Sequence, residues 1–209
     1  MSRLRLFALA LLCCAASRAA TFRAVVNTPA GQAVEDAAVV LEPLSGKGPE
    51  HHVAKAIQQI DREFVPYLTV VQTGTAIDFP NRDPIKHHVY SFSPAKVFEI
   101  KLYAGKPVAP VLFDKPGVVA LGCNIHDWME AYVLVVDSPW FAKTGKDGRV
   151  RINDVPPGRY RLRLWQPRQK AAFEPFEVKL DGAGLQQQLT LDVSPRLVKA
   201  KPPLDNEGY

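Results

Sequence analysis

A thiol, an imidazole and a thioether fall within seven residues of one another in Gly122-Cys123-Asn124-Ile125-His126-Asp127-Trp128-Met129, and a second imidazole stands upstream at His87. Two His and one Cys in a trigonal plane, with a weak axial Met, form the donor set of a mononuclear copper electron-transfer centre. The chemistry this implies is the passage of single electrons through one bound copper ion. Read one at a time, the same residues are bland: Cys123 and Met129 suit core packing, and His126 suits a solvated loop. The metal reading gains its weight from four coincident spacings. His51 and His52 read as loop residues with no more than adventitious metal affinity.

Strands must deliver these side chains to one point. Val119, Leu121 and Cys123 alternate with Ala120 and Gly122, which carries the thiol inward at the end of a strand. A short loop then turns His126 and Met129 back, and Ala131, Val133 and Val135, alternating with Tyr132, Leu134 and Val136, anchor its far side. The remaining donor has to arrive from another strand. Asn81-Arg82-Asp83-Pro84-Ile85-Lys86-His87 supplies it, after an Ile77, Phe79 alternation. Alternation places His87, Val89 and Ser91 on one face and His88, Tyr90 and Phe92 on the other, so only one of the adjacent pair can serve.

Similar alternation runs through Phe98, Ile100 and Leu102 against Glu99 and Lys101, and through Tyr160, Leu162 and Leu164 against Arg161 and Arg163. Turn signals lie at Thr28-Pro29-Ala30-Gly31, Lys115-Pro116-Gly117, Asp147-Gly148 and Pro156-Pro157-Gly158. One pattern, Val53, Ile57, Ile60 and Phe64, fits a helical turn or an irregular short strand equally. The class is all-β, built as a sandwich.

The chain opens with Arg3 and Arg5, an apolar run from Leu6 to Ala16, and Ser17-Arg18-Ala19. That order predicts a secretory signal peptide over residues 1–19, too short to be a stable membrane span. Of the 26 Lys and Arg, three leave with the leader, so 23 bases face 21 acids and the net charge falls from +5 to +2. Nucleic acid is therefore a poor partner for this chain. The arginines at 149, 151, 159, 161, 163 and 168 read as the wet faces of strands. Cys13 and Cys14 leave as well, so Cys123 has no partner for an internal disulfide. From Ser194 the chain is rich in Pro and Lys, and residues 194–209 read as a disordered tail.

Residues 60 to 137 resemble the cupredoxin family, its amicyanin-like and plastocyanin-like members most. A strand ending in Asn leads six residues later to the first His ligand there, as Asn81 leads to His87 here. Pro116-Gly117 leads through Val119 and Leu121 to Cys123, and the loop has the amicyanin-type Cys-x2-His-x2-Met order. The whole chain also looks like bacterial periplasmic proteins named for methylamine utilisation or for plastocyanin. The resemblance implies a Greek-key sandwich holding one type 1 copper ion. Cys123 would bind as thiolate in a plane with His87 and His126, and Met129 would be the long axial ligand. Two departures stand out. His88 occupies a place where the family usually has Asn near the sulfur, and it is the rival ligand to His87. Asp127 and Trp128 occupy the loop where Pro and an aromatic are usual. Trp128, with Ile85 and Ile125, would form an apolar docking surface around an exposed His126 edge.

The flanks resemble a carboxypeptidase-regulatory-like β-sandwich, split between Ala24 to Leu41 and residues 144 to 165. The expected organisation is a copper domain at 53–140 inserted into a smaller sandwich made of 21–50 together with 141–193. The alternative is a plain consecutive arrangement. What these resemblances imply is a periplasmic electron carrier, not an enzyme, working between a dehydrogenase or quinol-linked donor and a cytochrome c. A copper-delivery protein and a cell-surface β-sandwich binding module are the competing readings.

Overall fold

The structure is a computed structural model that describes residues 19–107 and 109–196. The expected leader up to residue 18 and the tail beyond residue 196 lie outside the described residues. No helix occurs among them, and none is long and apolar enough to cross a membrane.

Seventeen strands follow one another among the described residues. The first two are β1 (Ala20–Asn27) and β2 (Ala38–Pro43). Short pieces come next, β3 (Lys55–Ala56), β4 (Gln58–Ile60) and β5 (Glu63–Val65). Then come β6 (Leu68–Gln72), β7 (Thr75–Asp78), β8 (His87–Ser93) and β9 (Lys96–Tyr103). β10 (Val111–Phe113), β11 (Gly117–Gly122), β12 (Glu130–Val136) and β13 (Phe141–Lys143) carry the chain onward. The last four are β14 (Arg149–Val155), β15 (Gly158–Trp165), β16 (Phe176–Leu180) and β17 (Leu185–Thr190). The helical option for Val53 to Phe64 gives way to β3, β4 and β5. Phe64 is buried from β5 and Ile57 from the single-residue link between β3 and β4, a spacing that pattern alone cannot distinguish from a helix over so few residues.

A five-stranded sheet in the order β6-β12-β11-β8-β9, antiparallel except for the parallel β6–β12 pair, carries the site. Its inward face packs with the β10-β7-β3 sheet and the β4–β5 hairpin around Ile57, Phe64, Ile77, Phe79, Val89, Phe113, Val119 and Val133. A second pair of sheets, β14-β1-β17 and β13-β2-β15-β16, encloses a core of Phe22, Val26, Val39, Leu41, Ile152, Leu162 and Leu180. Two sheets closed over one apolar core are the β-sandwich solution, with a cupredoxin-like arrangement around the site.

A third cluster joins the two cores. Ala38 and Val40 of β2 meet Leu68 and Val70 of β6 and Leu134 and Val136 of β12, with Tyr132, Phe141 and Trp165 beside them. These strands are therefore buried on both faces: Val39 and Leu41 point into one core, and Val133 and Val135 point into the other. That is why β2 and β12 read as nearly continuous apolar runs. At the Asp147-Gly148 turn φ is +69°, and a Cβ on Gly148 would come within 2.5 Å of the Val26 carbonyl. Only glycine fits both demands.

The Phe98-to-Leu102 alternation holds only in part. A β-bulge opposite His88 shifts the register between Ile100 and Tyr103, leaving Leu102 half exposed and turning Tyr103 toward the core.

Candidate metal centre

β11 ends at Gly122, and its alternation carries Cys123 to the buried side at 4% exposure. The next turn is closed by the Met129 N–H, which donates to the His126 carbonyl at 3.0 Å. That closure brings His126 back over the sulfur. His87 opens β8 with its side chain fully buried. The loop before it is folded by Asn81, whose side-chain amide donates to the carbonyls of Ile85 (2.7 Å) and Tyr103 (3.1 Å). Its Oδ1 accepts the Asp83 N–H at 2.9 Å.

The three donors meet. Cys123 Sγ lies 4.0 Å from His87 Nδ1 and 3.7 Å from His126 Nδ1. All three ligand atoms are within 4.8 Å of one another. With a metal–sulfur bond of about 2.3 Å and metal–nitrogen bonds of about 2.1 Å, a 120° angle separates S from N by about 3.8 Å. The two observed S···N distances bracket that value, so the three residues could hold a single metal ion between them.

Electrostatics prepares the donors. Burial alone would push the Cys123 thiol up. Hydrogen bonds from His87 and from the backbone N–H groups of His88, Ile125 and His126 outweigh it, and the thiol lies below its ordinary range. Burial would lower His87, but its contacts with Cys123 and Asp83 hold it above the usual value. Burial lowers His126, assisted by the charges of His87 and Arg62, which favours the neutral form a metal needs.

His87 is fixed by a carboxylate. Its Nε2 lies 2.7 Å from Asp83 Oδ2, and a proton held on Nε2 by that carboxylate would free Nδ1 to bind a metal. Asp83 also accepts the N–H groups of Asp61 (2.7 Å) and Arg62 (2.9 Å). Burial works to raise this carboxyl, yet those donors and His87 hold it below its usual range.

His88 points to the opposite face. Its Nε2 is 3.0 Å from Glu99 Oε1, and its ring centroid lies 5.7 Å from that of Tyr90. It reaches the sulfur only through its backbone N–H. Met129 is 2% exposed and belongs to the same buried cluster as Cys123. Trp128 is tied down: its Nε1–H donates to the Arg62 carbonyl at 3.1 Å, and its ring lies 5.1 Å from that of His126. Ile125 is 39% exposed, whereas Ile85 and Trp128 are only partly so.

Sequence reasoning assigned no role to Asp83, nor to the Asp61–Arg62 turn that holds it. A carboxylate four residues before a candidate ligand was the available signal for the first. Tyr103 was missed too. Its hydroxyl lies 2.6 Å from both Gln59 Oε1 and the Phe79 carbonyl, and burial pushes its pKa above the tyrosine range.

Fold and site together describe a cupredoxin-like sandwich with a His-Cys-His cluster at one end of the sheet. Several solved structures are similar to part of the chain. A purple cupredoxin from Nitrosopumilus maritimus is 20% identical over 39% of this chain and 98% of its own, with a TM-score of 0.35. An amicyanin mutant in its oxidized state is 17% identical over 40% and 82%, with a TM-score of 0.36. A Cu-containing nitrite reductase from Thermus scotoductus SA-01 is 20% identical over 46% of this chain, with a TM-score of 0.38, and the chain spans 25% of its length. No family profile and no curated protein matches the chain.

Proposed function

We propose that this chain is a periplasmic type 1 copper protein that carries single electrons. The observation that carries the reading is the meeting of Cys123 Sγ with two Nδ1 atoms at 3.7 and 4.0 Å, within a buried, strand-braced pocket. Cys123, His87 and His126 would hold the ion, and Met129, buried in the same cluster, would stand as the weak axial donor. Bound copper supplies a one-electron couple, tuned by the axial donor and by hydrogen bonds to the sulfur. The chain's own part is to hold the donors still. β8 and β11 fix His87 and Cys123, Asp83 fixes the imidazole tautomer, and three backbone N–H groups stabilise the thiolate.

Electrons would enter and leave at the partly exposed His126, beside Ile125, Trp128 and Ile85, with a dehydrogenase or quinol-linked donor on one side and a cytochrome on the other. The Arg3-to-Ala19 leader pattern supports export. We further propose two units, a copper domain at 53–140 inserted into a sandwich of 21–50 with 141–193. The separate buried clusters support this division.

The test is a titration of the metal-free protein with Cu(II), followed by absorption and electron paramagnetic resonance. An intense thiolate-to-copper band, narrow hyperfine splitting and one-to-one stoichiometry are expected. Weak colour with wide splitting would remove Cys123 from the plane and shift the reading to copper delivery.

A further inference from the structure

Resting on the copper reading, we infer that the turn of the β4–β5 hairpin is the positioning element for both histidines of the site, and that it uses Asp83 to set the balance between Cu(II) and Cu(I). The hairpin is small. Gln58 pairs with Val65, Gln59 with Phe64 and Ile60 with Glu63, so Asp61 and Arg62 form a two-residue loop. Both have positive φ, 54° and 57°, the pairing that a type I′ turn requires. Neither is glycine or asparagine. A non-glycine residue in this region is strained, and a held strain of this kind invites the question of what it secures.

It secures two arms. In the first, consecutive N–H groups converge on one carboxylate: Asp61 donates to Asp83 Oδ1 at 2.7 Å and Arg62 to Oδ2 at 2.9 Å. Such paired amides form an anion-binding concavity. The same Oδ2 lies 2.7 Å from His87 Nε2. In the second arm, the Arg62 carbonyl accepts the Trp128 Nε1–H at 3.1 Å, with the Arg62 guanidinium 5.9 Å from the centre of that ring. Trp128 in turn lies against His126, ring centres 5.1 Å apart. One residue therefore braces His87 through its N–H and His126 through its C=O.

The hairpin is itself anchored. Phe64 is 2% exposed and Gln59 is fully buried, with its N–H on the Pro80 carbonyl and its C=O accepting from Arg82 N–H. The turn cannot drift without disturbing the core and the 81–87 loop together.

A carboxylate bonded to the far nitrogen of a ligating imidazole fixes its orientation and raises its basicity. A more basic imidazole favours the more highly charged ion. Asp83 thus biases the site toward Cu(II) and lowers its potential.

Asp83→Asn is the informative variant, since it keeps the shape and removes the charge. About a 10- to 100-fold loss of Cu(II) affinity is expected, with a smaller loss for Cu(I), while the blue spectrum survives. Each tenfold excess of the Cu(II) loss over the Cu(I) loss raises the potential by about 59 mV. An unchanged potential in a blue Asp83→Asn protein would overturn the inference.

Nitrogen NMR of the metal-free chain separates this result from failure of the copper reading. In the unmodified protein His87 should hold its proton on Nε2 with slow exchange, whether or not the protein turns blue. Asp83→Asn should speed that exchange, and no change would again overturn the inference. Should Asp83→Asn not fold, Trp128→Phe keeps an aromatic ring and removes the N–H that Arg62 accepts together with part of the indole. It should loosen His126 and leave the His87 tautomer intact, and an equally ordered His126 would count against the second arm.

Discussion

Removal of the Tyr103 hydroxyl tests how the frame under the site is held. Tyr103 stands opposite His87 on the edge strand β9, and its O–H is shared between two acceptors at 2.6 Å, the Phe79 carbonyl and Gln59 Oε1. Gln59 is fully buried, so in Tyr103→Phe its amide oxygen keeps its desolvation cost and loses its donor. A buried acceptor left unpaired costs about 1–3 kcal/mol. We take about 2 kcal/mol for the variant, which for a chain of this size lowers Tm by about 4–8 °C. Thermal and urea unfolding of the metal-free protein, followed by circular dichroism, read the effect. Tyr103→Phe combined with Gln59→Leu should recover part of the loss, because replacing both partners of a buried hydrogen bond is milder than orphaning one. A loss below about 0.5 kcal/mol, the range of a neutral surface change, would refute the account of Tyr103 as the pin beneath the 81–87 loop.

Other expectations concern the site and the organisation of the chain. Cys123→Ser should abolish the blue band while the far-ultraviolet circular dichroism stays that of a β protein. Met129→Leu should keep copper and raise its potential, since the soft axial donor is lost; an unchanged potential would remove Met129 from the axial position. His87→Gln should destroy the copper site, whereas His88→Gln should alter it only slightly, because the His88 side chain faces Glu99 on the other side of the sheet; electron paramagnetic resonance distinguishes the two. Limited proteolysis should give no independently stable fragment of residues 1–50, as β1 and β2 pair with β14, β15 and β17 from the far end of the chain.

The alternation that marks β11 and β15 is readable without coordinates, because each has one face in a core, and so are the spacings that bring Cys123 and His126 onto one loop. What the sequence hides is set by tertiary contact. Asp61 and Arg62 adopt positive φ without glycine or asparagine, so no turn signal announces the β4–β5 loop. Asp83 lies among ordinary loop residues, and only the folded hairpin shows that its charge is held by two amides and an imidazole. The bulge in β9 that brings Tyr103 inward shifts a period of two by one residue, which pattern counting cannot foresee.

The seam of Ala38, Val40, Leu68, Val70, Leu134 and Val136 has a consequence for how this architecture can be handed on. β12 lies beside β11, the strand that leads to Cys123, and its outer side has no water-facing surface of its own; it borrows a lid from β2 and Trp165. A transplant of residues 53–140 alone would arrive with a greasy flank and would pair with itself or precipitate. The part of the chain that holds the candidate metal centre is thus no free-standing cassette. To move it into another protein, an engineer would first have to repaint β6 and β12 with polar side chains, and evolution would face the same requirement.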